Sequence, residues 1–166
     1  MIAVEEIFAR GHANITARHA TTLEITKGIN LTKNGDCIIA VGATKGLTEL
    51  SSVFRTLCAD DNAKIILEIN AAEIMEIVHG RGSSAFTLSH HEDIVARKSS
   101  HVTDRTLIVA ADKAARDINR KLVTALRSPD TSVRIRLTVY NSVTGLERPS
   151  QSVPFPEQSP VLRLRN

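Results

Sequence analysis

Aromatic residues are nearly missing from this chain: its 166 residues include no Trp, one Tyr and four Phe. A core must therefore be built from Ile, Leu, Val and Ala, and single-stranded nucleic acid finds few rings to stack on. No apolar run approaches the roughly 20 residues that span a bilayer. The opening Met1-Ile2-Ala3-Val4-Glu5-Glu6 lacks the basic start and apolar stretch of a secretion signal, so the expected location is cytoplasmic. On that expectation the triplets Asn14-Ile15-Thr16 and Asn30-Leu31-Thr32 carry no glycosylation meaning. Cysteine is scarce too. Cys37 and Cys58 read as two buried thiols and are too few for a zinc motif.

What remains is an ordinary globular mixture, 42% hydrophobic and 23% charged, of a length suited to one domain. The net charge of +3 is unevenly spread. Residues 1–92 hold 8 Lys and Arg against 11 Asp and Glu, whereas residues 93–136 hold 10 against 5. An anionic partner is expected to meet the second segment.

Residues 2–9 read as a strand, and 21–26 as a second by strict alternation, with Leu23 and Ile25 on one side and Thr22, Glu24 and Thr26 on the other. Asn34-Gly35 signals a tight turn into the apolar run 37–41, expected to be a central strand. Leu47, Leu50, Val53, Phe54 and Leu57 recur at helical spacing, placing a short helix at 48–58. Strands follow at 64–70, 73–79 and 86–89, with a flexible loop at 80–84. The clearest pattern is a long amphipathic helix over 104–127. Its apolar stripe is Leu107, Ala111, Ala114, Ala115, Ile118, Leu122, Ala125 and Leu126, and Arg105, Lys113, Arg116, Arg120 and Arg127 lie opposite. Val109 falls on that basic face, so Thr106-Leu107-Ile108-Val109 also reads as a strand feeding a shorter helix. Residues 132–140 alternate as a final strand. No internal repeat is visible. The element order is not regular βαβ, which favours an α+β, β-rich fold with a mostly antiparallel sheet or sandwich and two helices. Residues 1–141 form the expected domain. Residues 142–166, rich in Pro and Ser, read as an extended or flexible tail that could dock on a protein partner.

Three polar clusters stand out: Arg10, His12, Asn14, His19, Thr21, Thr22 and Glu24; Asp36 beside the Asn34-Gly35 turn; and His90-His91-Glu92-Asp93 followed by Arg97-Lys98-Ser99, His101 and Arg105. His12, His19 and His90, with Glu24 or Asp36, are candidate catalytic groups for a small hydrolase or transferase. They could also supply nitrogen and oxygen ligands to a divalent ion, although no local metal-motif spacing supports one. Arg97-Lys98-Ser99, with Arg105, stand before the expected helix start near Thr103 and form a candidate phosphate site. The basic stripe, with Arg134 and Arg136, could track a nucleic-acid backbone, but Asp112–Arg116 and Asp117–Lys121 spacing also explains it as a solvated face. No nucleophile elbow is present.

Several segments in order, Arg10-Gly11-His12 with Asn14, Thr21-Thr22-Leu23-Glu24-Ile25-Thr26, Gly35-Asp36-Cys37-Ile38-Ile39, Arg97-Lys98-Ser99, Arg105-Thr106-Leu107 and Ala111-Asp112-Lys113-Ala114-Ala115, are together similar to the archaeal domain-of-unknown-function family 371. The resemblance runs over about residues 7–140. Ala13 and Ala40 stand where Pro and Gly are expected. It implies an archaeal source and a jelly-roll-like sandwich with helices. It implies no activity, no cofactor and no catalytic residue.

The favoured expectation is a binding module for a phosphate-bearing ligand, a nucleotide or RNA. The alternatives are the small hydrolase or transferase, with or without a metal ion, and a structural or partner-binding protein. The cofactor is left unknown.

Overall fold

Alternation over Ile2–Arg10 makes a nine-residue strand, β1, which pairs antiparallel along its whole length with β8, Ser132–Tyr140. On its other side β8 pairs with β4, Lys64–Ala71, and β4 pairs with β5, Ile74–Arg81, so the order is β1-β8-β4-β5. The second sheet has the order β3-β2-β6-β7. Here β2 (Thr22–Thr26) and β6 (Asp93–Arg97) run antiparallel, while β3 (Ile38–Ala40) and β7 (Thr106–Ile108) flank them in parallel. Single antiparallel bridges, Arg10–Val41 and Arg81–Val109, tie the sheets together at both edges. Helices α1 (Ser52–Cys58) and α2 (Arg120–Leu126) bury Phe54, Leu57, Leu122, Val123 and Leu126. Ile7, Leu23, Ile25, Ile65, Leu67, Ile135 and Leu137 fill the space between the sheets. This computed structural model describes residues 1–142; the tail expected from 142 onward lies, beyond Ser142, outside the described residues. Among them no helix is long and apolar enough to cross a membrane.

The α+β, mostly antiparallel two-sheet expectation holds. The two parallel pairs depart from the all-antiparallel order of a jelly roll. The long helix over 104–127 is corrected. Thr106–Ile108 is a fully buried strand, Ala110 has a left-handed φ of 49°, and Ala115–Asp117 forms a single 3-10 turn before α2. The strand alternative wins because it buries Val109, which a helix would have left on its charged face. The strand expected at 86–89 is irregular backbone, with Leu88 at φ 49°. The expected loop at Gly80-Arg81 is instead the end of β5.

The absence of a repeat is corrected as well. The chain is two copies of one unit, β-β-β-turn-α-β, covering β1 to β4 and β5 to β8. The matched hydrogen bonds are unmistakable. The Gly11 N–H donates to Thr131 O and the Gly82 N–H to Ala63 O, both at 3.0 Å. Lys27 N–H donates to Glu92 O, and Lys98 N–H to Thr21 O. Ser51 caps α1 through its hydroxyl and Asn119 caps α2 through its side chain. Buried Glu5 accepts from the Ser51 N–H and Lys45; buried Glu76 accepts from the Asn119 N–H and Lys113. Each sheet has its pseudo-two-fold at its centre, between Glu68 and Arg136 in one and Glu24 and Val95 in the other. The units interlock, since β1 pairs across to β8 and β2 across to β6.

A two-residue hairpin turn, Ala72-Glu73, joins the units, and both residues have positive φ, 49° and 62°. Neither is a residue that favours this turn. Replacing them by Asn-Gly is expected to raise the unfolding free energy by about 1 kcal/mol, seen as a higher urea midpoint at unchanged slope.

Candidate functional site

The expected site residues do not all converge in one cleft: Glu24, His90 and Arg105 meet beside Asp93, and the others do not join them. His19 and His90 occupy matched positions at the turns into β2 and β6. His19 Nδ1 accepts the N–H groups of Thr21 and Thr22 (3.2 and 3.0 Å); His90 Nδ1 accepts those of Glu92 and Asp93 (3.2 and 2.9 Å). His12 Nδ1 accepts the Asn14 N–H. All three rings present an acceptor to the backbone, which is a turn-forming role. The Asp36 carbonyl accepts from the N–H groups of Arg18 and His19 and so pins the segment after β1. Among the described residues no group of three His, Cys, Asp or Glu is placed to hold a metal ion, so the metal-assisted version lacks a donor set.

The anion site expected at Arg97-Lys98-Ser99 loses its helix, because β7 follows where the helix was expected. Two of its three cations are also engaged, while the Arg97 side chain makes no hydrogen bond or ion pair among the described residues and its Nε is buried without a partner. Lys98 pairs with Asp117 at 2.6 Å, and Arg105 lies 3.0 Å from Asp93 and 3.6 Å from Glu24. The Ser99 hydroxyl accepts the His101 N–H. The basic stripe is dispersed in the same way. Lys113 pairs with Glu76, and Arg120 donates to the carbonyls of Ala17, Ala115 and Ile118.

Two arrangements remain that carry polar chemistry. The first lies on the pseudo-two-fold, on the outward side of β2 and β6. Leu23 and Ile25 point to the core, so Thr22, Glu24 and Thr26 point away from it, yet all three are buried. Cys37 and Arg105, at matched positions ahead of β3 and β7, approach Glu24 from opposite sides: the Cys37 thiol donates to Glu24 at 3.1 Å. Thr26 donates to Asp93 at 2.7 Å. Burial pushes the Glu24 carboxyl above its ordinary range, and neighbouring Asp93 adds to this against the thiol and Arg105. Burial opposes the shift at Asp93, but hydrogen bonds from Thr26, Glu24 and Arg105 hold that carboxyl below its ordinary range. The surroundings thus favour the protonated form at Glu24 and the charged form at Asp93, which faces Arg105. Burial also lifts both thiols, Cys37 and Cys58, to about 12, and both cysteines are free. As thiols they are inert.

The second arrangement is a pocket of about 310 Å3 lined by Ala13, Ile15, Thr16, Arg18, Lys33 and Arg127. Arg18 comes from the segment after β1, Lys33 from the one after β2, and Arg127 from the C-terminal end of α2. The walls are held by Asn14 Nδ2, which donates to Leu31 O, and by Arg127 Nε, which donates to Ile15 O. Thr16 Oγ1 is buried at the wall without a hydrogen-bond partner. No carboxylate lines the pocket, and among the described residues none of the three cations forms an ion pair. Sequence reasoning missed this trio. Its members are 15 and 94 residues apart in the chain, and only the interlocking of the two units brings α2 against the segment after β1.

Residues 7–140 match the family model described as a domain of unknown function, DUF371. The chain belongs to this family. It is also similar to an uncharacterised protein of the archaeon Methanocaldococcus jannaschii, with 43% identity over 121 residues, 73% of this chain and 89% of the relative. The family description assigns no reaction, so any functional reading has to come from the geometry of the site.

Proposed function

We propose that the chain is a binding module for a phosphate-bearing ligand, with the phosphate seated among Arg18, Lys33 and Arg127. The observation that carries this reading is three cations around one cavity that have no ion partner, and no acid in the lining, among the described residues. Two guanidinium forks and an ammonium suit a polyanionic oxygen cluster. The duplicate supplies an internal control. Position 59 matches Arg127 and holds Ala, and position 89 matches Arg18 and holds Ser, in a unit that makes the same backbone bonds. That unit therefore makes the same backbone bonds without cations at the places of Arg18 and Arg127. The lining has no aromatic ring on which a base could stack, so a nucleoside or RNA chain would be held by its phosphate and extend outward.

Binding of inorganic phosphate, a nucleoside triphosphate and a short RNA by calorimetry at low salt tests the reading. Arg18→Ala, Lys33→Ala and Arg127→Ala combined are expected to weaken the best of these ligands by about 100-fold or more. If the ligand is RNA, the salt slope should fall by about 2. Lys98→Ala, which removes a cation already paired with Asp117, is expected to change affinity less than about threefold. Unchanged affinity in the triple variant, or a loss in Lys98→Ala of equal size, would return the site to the Arg97-Lys98-Ser99 segment. Absence of binding to all three ligands would end the phosphate reading.

A further inference from the structure

The pseudo-two-fold places a second cavity where the basic pocket has its match. It measures about 510 Å3 and lies between α1 and the segment after β5, lined by Ser52, Arg55, Thr56, Phe86, Thr87 and Leu88 with Ala59. Phe86 and Thr87 take the places of Ile15 and Thr16, as the turn bonds Phe86 N–H to Ser83 O and Ile15 N–H to His12 O show. Its charge is arranged differently. The first pocket draws its cations from loops and a helix end, whereas this one has a single arginine on the helix itself.

Arg55 is half-buried, and its side chain makes no hydrogen bond or ion pair with any described residue. Its Nε is buried and unpartnered. A buried donor left without a partner loses its hydration for nothing unless something else supplies the acceptor. The nearest acids in sequence are engaged elsewhere: Glu49 pairs with Lys27, Asp60 accepts the Asn62 N–H, and Asp61 accepts both the Ser84 N–H and hydroxyl. No carboxylate lines the cavity. The hydroxyls of Ser52 and Thr56 supply further donors, the Thr87 hydroxyl is shared with that of Ser89, and Phe86, Leu88 and Ala59 supply an apolar wall.

We infer that this cavity is a second ligand site, separate from the phosphate pocket, that takes a small organic carboxylate through Arg55. One guanidinium matches one negative charge and offers two parallel N–H bonds to a planar carboxylate. The hydroxyls take up the remaining lone pairs, and the carbon chain lies against Phe86 and Leu88. A phosphate dianion fits this site less well, since there is no second cation.

Titration with butyrate, followed by NMR at the Arg55 Nε–H and Thr87 backbone N–H signals, tests the inference. Both signals are expected to shift saturably with butyrate, with an affinity at least tenfold above that for inorganic phosphate. Arg55→Gln should abolish the Thr87 response. Arg55→Lys, which keeps the charge and the helix, should weaken it by about tenfold. The protein lacking Arg18, Lys33 and Arg127 side chains should respond to butyrate as the unaltered protein does, so failure of the phosphate reading leaves this result standing. No saturable shift, an undiminished response in both Arg55 variants, or tighter binding of phosphate than of butyrate would overturn the assignment.

Discussion

Gly11→Ala and Gly82→Ala are each expected to lower the unfolding free energy by about 3 kcal/mol, measured by urea denaturation. A methyl on Gly11 would lie 2.2 Å from the carbonyl oxygens of Leu126 and Ser128. On Gly82 it would lie 2.1 Å from the Cys58 oxygen and 2.7 Å from that of Asp60. Both obstacles are backbone at the end of a helix, so no side chain can swing aside. Each glycine is where a strand leaving one unit passes under the helix of the other, which is how the units interlock. The two penalties should be similar because the two sites match. Gly42→Ala is the comparison. Its φ of +62° is shared by the matched Ala110 at 49°, and the nearest atoms belong to the Arg10 side chain. It should cost about 1 kcal/mol. Gly11→Ala proving as mild as Gly42→Ala would mean that the close approach is not what fixes the strand exit.

The strands with clean alternation were legible from the residues. Ile2–Arg10, Lys64–Ala71 and Ser132–Tyr140 form one sheet at nearly the expected bounds, because each has one face in the core and one face outward. The second helix misled because a buried strand, a left-handed Ala110, a 3-10 turn and a seven-residue helix happen to share helical spacing of apolar residues. The duplication was hidden for a different reason. What the units share is backbone geometry and a few anchors, Arg10-Gly11 with Arg81-Gly82, His19 with His90, Lys45 with Lys113, while most side chains differ. Ser51 and Asn119 do the same capping with different chemistry. Of the expected site residues, Glu24, His90 and Arg105 do gather around one spot, and the group that joins them, Asp93, stands in the polar run beside His90, where the sequence gives it no role of its own. His12, His19 and Asp36 hold turns instead. Arg18 and Lys33 gave no local signal, since a pocket assembled from three distant segments leaves no spacing to read.

The carboxyl pair on the pseudo-two-fold makes a second strong prediction, with opposite effects from its two members. Asp93 accepts from Thr26 and from Arg105, and these bonds hold its carboxyl below the ordinary value of 3.8 against burial. It therefore adds stability that is present above its unfolded value and is lost as pH falls through the depressed one. Asp93→Asn keeps the shape but removes the anion between a hydroxyl donor and a guanidinium, and is expected to cost about 2 kcal/mol at pH 7. Glu24 is raised from 4.5 by burial and by Asp93. Between 4.5 and its raised value the folded state holds a proton that the unfolded chain releases, so stability falls as pH climbs through that window. Glu24→Gln imitates the protonated form, still accepting from the Cys37 thiol and still able to donate to Asp93. It should abolish that fall and match or exceed the unaltered protein at pH 7. Urea unfolding at intervals from pH 4 to 8 measures both. If Glu24→Gln keeps the same downward slope above pH 4.5, the proton is not held at Glu24, and the charge at the centre of the small sheet is held by Glu24 as well as Asp93.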